Sequence, residues 1–204
     1  MLLISIVSQF LLLVRLLNNK LKIISGKYKS RTIHIPDKKN LKPTKSYIRE
    51  VLFNVIDIHR CETSLDLFSG SGILSLEAIS RGVKNSIIVE SDKELVKSIK
   101  TNLSHFDIKD VVIINKKVEL FLKNLKIAYF DIIFIDPPYG TPLLEYTLDY
   151  LNKNDFLRKN KYLYFERYKN DNCNYLKYIL NTHNVVKDLS IGDVSYTIAV
   201  SKNI

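Results

Sequence analysis

Short β-prone apolar runs alternate with helix-periodic stretches over most of the chain, and no other feature restricts the fold as much. The strand candidates are 64–68, 86–90, 111–114, 131–135 and 162–166, with helical segments between them. Parallel strands need a long crossover, which a helix supplies. This order therefore predicts an α/β fold built from βαβ units, with a mostly parallel sheet and helices on both faces. Two further runs, 184–189 and 194–201, flank Ile191-Gly192-Asp193 and read as a closing antiparallel hairpin.

Upstream of this pattern, residues 21–35 (LKIISGKYKSRTIHI) hold two short β-prone runs around Gly26-Lys27-Tyr28-Lys29, a small basic hairpin. After Lys42-Pro43-Thr44, with Thr44 in the capping position, Ile48, Val51, Leu52, Val55 and Ile56 recur at helical spacing. With 204 residues and no Pro/Gly/Ser-rich linker, the chain suits one principal core. Three segments follow: an apolar leader at 1–20, a basic extension at 21–60, and the main domain at 61–204.

Charge is distributed unevenly between these segments. Residues 1–60 hold 12 Lys/Arg against 3 Asp/Glu, whereas 61–204 hold 19 against 18. A general enrichment in lysine would spread along the chain. A positive segment ahead of a nearly neutral body reads instead as a footprint for a polyanion, and nucleic acid fits better than a membrane surface.

Cys61 and Cys173 lie far apart without metal-ligand or Cys-x-x-Cys spacing, which argues against a disulfide framework or a zinc site and suits a reducing cytoplasm. Residues 1–17 are nearly all apolar. They are short for a membrane span and lack the basic start of a secretory signal, so stable membrane association is not expected. Organellar targeting or membrane contact by this leader stays open.

The chemistry concentrates at the carboxyl ends of the strand candidates. Leu65-Asp66-Leu67-Phe68-Ser69-Gly70-Ser71-Gly72 is an apolar strand ending in a small-residue turn before a helix, where a ligand can approach the backbone. Twenty residues after Gly70, Glu90 ends the next strand candidate and can accept hydrogen bonds from a ribose diol, which points to a nucleoside-bearing cofactor. Ser75 stands where a third glycine would complete a dinucleotide fingerprint, so this half alone leaves a nicotinamide cofactor open.

The second half is the apolar run 130–135 delivering Asp136, followed by Pro137, Pro138 and Tyr139. An exocyclic base amine is a poor nucleophile because its lone pair is delocalised into the ring. The Asp136 carboxylate and the Pro137 carbonyl can accept its two hydrogens and favour a pyramidal nitrogen. Two prolines rigidify the turn, and Tyr139 can stack on the base. Glycine loop, acid and turn together imply methyl transfer from a sulfonium cofactor to a base amine.

These features resemble the RsmD-type methyltransferases, which modify guanine N2 in 16S ribosomal RNA. The similarity runs from about Leu21 to the end. It includes Ile23-Ile24-Ser25-Gly26-Lys27-Tyr28-Lys29-Ser30-Arg31, Leu41-Lys42-Pro43-Thr44, Arg49-Glu50-Val51-Leu52-Phe53-Asn54 and the stretch 65–82 (LDLFSGSGILSLEAISRG). The glycine loop and the acid-proline-proline turn also occur in adenine-N6 enzymes, whereas the basic hairpin and the Arg-Glu-x-Leu-Phe-Asn helix are characteristic of this family.

The resemblance implies a Rossmann-like class I fold with a seven-stranded sheet and S-adenosyl-L-methionine as cofactor. Asp66, Phe68, Gly70, Gly72 and Glu90 would surround that cofactor, 136–139 would hold the guanine, and Lys27, Lys29, Arg31 and Arg49 would face RNA phosphates. Lys117 stands where relatives usually present Asp or Asn to the adenine amine, which implies backbone contacts near Val118 instead. Ser46 and Tyr47 replace the family's usual acid and arginine. The implied protein is a metal-free monomer whose partner is small-subunit ribosomal RNA or the assembling subunit. Two alternatives stay open: an adenine-N6 methyltransferase, and a non-catalytic RNA-binding assembly protein.

Overall fold

The computed structural model describes residues 20–38, 41–126, 129–171 and 173–203. The apolar leader read at 1–17 lies outside them. The chain runs β1 (Lys20–Lys22), β2 (Thr32–His34), α1 (Ser46–Val55), β3 (Thr63–Leu67), α2 (Ile73–Ser80), β4 (Asn85–Glu90), α3 (Lys93–His105), β5 (Val111–Asn115) and α4 (Val118–Leu122). It continues through β6 (Ile132–Ile135), α5 (Leu143–Lys153), β7 (Tyr162–Tyr168), α6 (Leu176–Ile179), β8 (His183–Ile191) and β9 (Val194–Ser201). Strands β3 to β9 form one sheet in the order β5-β4-β3-β6-β7-β9-β8. All neighbours are parallel until β9, which pairs antiparallel with β7 and β8. The α/β architecture and closing hairpin are those expected from the alternating pattern.

Alternation along the strands divides the core. Leu65, Leu67, Ile133, Ile135, Leu163 and Phe165 pack under α4, α5 and α6. Their neighbours Ile132, Phe134, Tyr162 and Tyr164 face α1 and α2, and Ile88 faces α2 and α3. Strands buried on both faces read as unbroken apolar runs, which is why 131–135 carries no polar alternation.

The hairpin of β1 and β2 is not a separate body, because Ile23, Tyr28 and Ile33 share a core cluster with Ile73, Ile88 and Ile99. Its long loop is pinned to the carboxyl end of α2. The Lys27 amide donates to the Ser80 carbonyl at 2.7 Å and the Tyr28 amide to Ser80 Oγ at 2.9 Å. Gly26 has φ +84, and a Cβ there would lie 1.9 Å from the Ser80 carbonyl oxygen, so only glycine fits. On α3, Asn102 and His34 exchange two hydrogen bonds, at 3.0 and 2.8 Å.

One local expectation fails. Thr44 is buried and does not cap α1; Lys45 takes that place without a side-chain hydrogen bond.

Candidate active site

Strand β3, the first of the large sheet, is flanked by β4 on one side and β6 on the other, which makes the crevice at its carboxyl end the topological switch point of that sheet. Leu67 pairs with Val89 and Ile135, and Ile135 pairs with Phe165. One residue further on, Glu90, Phe68, Asp136 and Glu166 stand in a row across four neighbouring strands, about 4.8 Å apart from one to the next. Glu90, Asp136 and Glu166 each come two residues after a side chain on the α1–α3 face, Ile88, Phe134 and Tyr164, and share that face. Asp66, paired with Phe134, lies one step deeper.

Phe68 breaks the row. With φ 64 it is left-handed, and its ring packs against the cluster on the opposite face. An extended residue there would fill the space between Glu90 and Asp136. The left-handed turn clears it, at a backbone cost of about 1–3 kcal/mol.

Four carboxyl groups thus crowd one edge. Asp66 is 2% exposed and accepts Ser75 Oγ at 2.6 Å. Burial, reinforced by the charge of Glu90, pushes its pKa up to about 7. For Asp136, burial and then the charges of Glu166 and Asp66 hold the carboxyl well above the usual range. Glu90 is fixed by two backbone amides, Gly70 N–H on Oε2 and Asp92 N–H on Oε1, both at 2.8 Å. Oε1 also accepts the Ser91 hydroxyl at 3.4 Å, whereas Oε2 keeps a lone pair for a diol. Gly70 and Gly72 have φ 54 and 75, and Gly72 caps α2. Val118, buried, opens α4 at the same edge behind the exposed Lys117.

In the turn after β6, Pro137 is buried and Pro138 exposed. Thr141 Oγ1 donates to the Pro138 carbonyl at 2.7 Å, whereas no group among the described residues donates to the Pro137 carbonyl. Tyr139 is partly buried and its hydroxyl donates to Glu166 Oε2 at 3.0 Å. Asp66, Phe68, Gly70, Gly72, Glu90 and the turn 136–139 therefore meet at one edge.

The basic residues do not join them. Lys27, Lys29 and Arg31 are exposed, but their loop docks on Ser80 and, through Arg31 Nη2, on the His105 carbonyl at 3.3 Å. Those are the carboxyl ends of α2 and α3. Asp92, at the other end of the 13-residue α3, lies about 20 Å away along the helix axis.

Arg49 requires a correction, because it is 3% exposed and faces inward. Its Nη1 donates to Glu77 Oε1 at 2.5 Å and to the Lys22 carbonyl at 3.0 Å. A guanidinium so enclosed cannot meet a phosphate in solution.

Glu166 and Tyr168 also border this edge through Tyr139, and neither was expected there from the sequence. A signal existed for Glu166: like Glu90, it is an acid at the end of a strand candidate. Two grooves of about 400 and 420 Å³ lie along the flank of α3, lined by residues such as Lys100 and Ser104, away from the row. Among the described residues, no cluster of three His, Cys, Asp or Glu could hold a metal ion, and no helix is long and apolar enough to cross a membrane.

A family model described as conserved hypothetical protein 95 matches residues 21–200. The chain is 43% identical over 149 residues to ribosomal RNA small subunit methyltransferase D of Buchnera aphidicola subsp. Baizongia pistaciae, covering 72% of this chain and 76% of the relative. To the protein of the same name from Escherichia coli K12 it is 33% identical over 153 residues, covering 73% and 75%. The solved structure of yhhF from Escherichia coli superposes with a TM-score of 0.75 at 26% identity, covering 89% of this chain and 98% of that one.

Proposed function

The chain belongs to the conserved hypothetical protein 95 (RsmD) family, and from that premise we propose that it transfers a methyl group from S-adenosyl-L-methionine to the N2 amine of a guanine in small-subunit ribosomal RNA. The observation that carries this reading is the row of strand ends in which Asp136 stands next to the cleared position at Phe68, with Glu90 on its other side. Curated relatives at 33 to 43% identity carry the name ribosomal RNA small subunit methyltransferase D.

The residues fit the cofactor. Glu90, its carboxylate oriented by two amides, suits the ribose diol. The left-handed Phe68, Gly70 and Gly72 suit close approach to the backbone, and Asp66 and Val118 complete the cradle. When bound, S-adenosylmethionine supplies an electrophilic methyl on a sulfonium.

The remaining work falls to the chain. Asp136 and the Pro137 carbonyl accept the two hydrogens of the target amine and so direct its lone pair outward. The amine sheds one proton on methylation, and the Asp136 carboxylate is the base at that position. Tyr139 stacks on the base, a contact worth about 1–3 kcal/mol. The protein acts without a metal, as a cytoplasmic monomer, on free RNA or the assembling subunit.

The test is mass mapping of small-subunit ribosomal RNA from cells lacking the protein. One N2-methylguanosine should be missing and should return on incubation with purified enzyme and cofactor. Loss of an N6-methyladenosine alone would overturn the choice of base.

Residues 21–60 serve as an RNA-binding extension in this reading. Substituting Lys27, Lys29 and Arg31 together is expected to lower the slope of log affinity against log salt by about 2 to 3. Titrations at several salt concentrations would measure it, and an unchanged slope would remove the loop from the RNA interface.

A further inference from the structure

We propose that Glu166 is a positioning residue of the base corner, fixing through Tyr139 the plane against which the target base stacks, with Tyr168 as a second wall. This rests on the function proposed above.

Glu166 ends the central part of β7 and is 2% exposed. Both of its oxygens are engaged: Oε1 accepts the Tyr164 hydroxyl at 2.6 Å and Oε2 the Tyr139 hydroxyl at 3.0 Å. Tyr164 is fully buried, with its ring centroid 6.3 Å from Phe134 and 6.4 Å from Tyr196. A continuous link therefore runs from the rigid core through Tyr164 and Glu166 to the one aromatic ring of the acid turn.

The Tyr139 ring lies 6.4 Å from that of Tyr168 and is tilted by 45°, and Tyr168 is 38% exposed. The two rings border the corner on its β7 side. A ring held only by packing could swing about its first side-chain torsion. A hydroxyl anchored to a buried carboxylate cannot do so without breaking a charge-assisted hydrogen bond.

A carboxylate is the required group because two hydroxyls donate to it from two directions. An amide would present hydrogens to one of them and leave a buried donor unmatched. The charge has a second effect. Asp136 is faced by Asp66 from β3, by Glu166 and Tyr164 from β7, and by Tyr139 from its own turn. Among the described residues no lysine or arginine pairs with Asp136 or Glu166. Glu166 thus opposes ionisation of the acid that must accept the amine.

The test uses the full-length enzyme on small-subunit RNA, comparing Tyr139→Phe, Glu166→Gln and the double variant. Each single change should lower kcat about tenfold, the worth of one hydrogen bond, with KM for the cofactor within about twofold of wild type. The double variant should be no slower than the worse single one, because both changes cut the same link. Glu166→Gln should also move the acid limb of the kcat profile to lower pH, while Tyr139→Phe should leave it in place.

Multiplying losses, a fully active Tyr139→Phe enzyme or an unmoved limb would each overturn the proposal. If Glu166→Gln does not fold, Tyr139→Phe alone decides. Wild-type enzyme that modifies adenine instead would refute the choice of guanine yet leave this comparison intact on the new product.

Discussion

An Asp136→Ala enzyme is expected to lose at least about a hundredfold in kcat while binding RNA with near wild-type affinity. The carboxyl stands in the row between Phe68 and Glu166, where burial and neighbouring charges raise its pKa. Taking it away leaves the target amine a single acceptor, the Pro137 carbonyl, and no base at that position. Little folding free energy should be lost, because repulsion from Glu166 and Asp66 disappears with the carboxyl. Single-turnover methylation beside an RNA-binding titration separates the two effects. Equal rates in both proteins would strip Asp136 of its role.

The largest loss of stability is expected from Glu77→Ala. Glu77 is fully buried and joins three parts of the chain: α1, the hairpin and its own helix α2. It accepts Arg49 from α1 at 2.5 Å and the Ile24 amide beyond β1 at 2.9 Å, and it pairs with Arg81 past the end of its own helix α2. Removing it leaves the Arg49 guanidinium enclosed without a counter-charge, in a place where burial already lowers its pKa. Breaking such a pair costs about 3–5 kcal/mol, a large share of the stability of a domain this size. Urea denaturation should show the midpoint falling by a matching amount. A change below about 1 kcal/mol would mean that the hub contributes nothing net.

The sheet and most of the site could be read from the residues because both are local patterns. Each strand candidate lies within a residue or two of an observed strand, and in the central strands burial on both faces writes an apolar run. Glu90 and Asp136 were found because an acid ending such a run must lie at the ligand-binding edge. Arg49 was misread because its partner, Glu77, is 28 residues away, and only the packing of α1 on α2 brings them together. A buried arginine and one facing RNA look alike in a sequence.

Thr44 failed for a related reason: tertiary burial overrode its capping preference. The loop bearing Lys27, Lys29 and Arg31 was recognised as basic, but its place at the far ends of α2 and α3 depends on a contact with Ser80 that no periodicity announces. Glu166 escaped notice because its value lies in two tyrosine hydroxyls, one of them on a different strand connection.

Crowding four acids onto one edge couples occupancy to acidity. With burial pushing the Asp66 pKa up to about 7 and holding Asp136 above the usual carboxylate range, this edge retains protons near neutral pH. A positively charged ligand arriving there displaces them, so its affinity rises with pH across that interval, while a neutral ligand of the same shape gains nothing from the change.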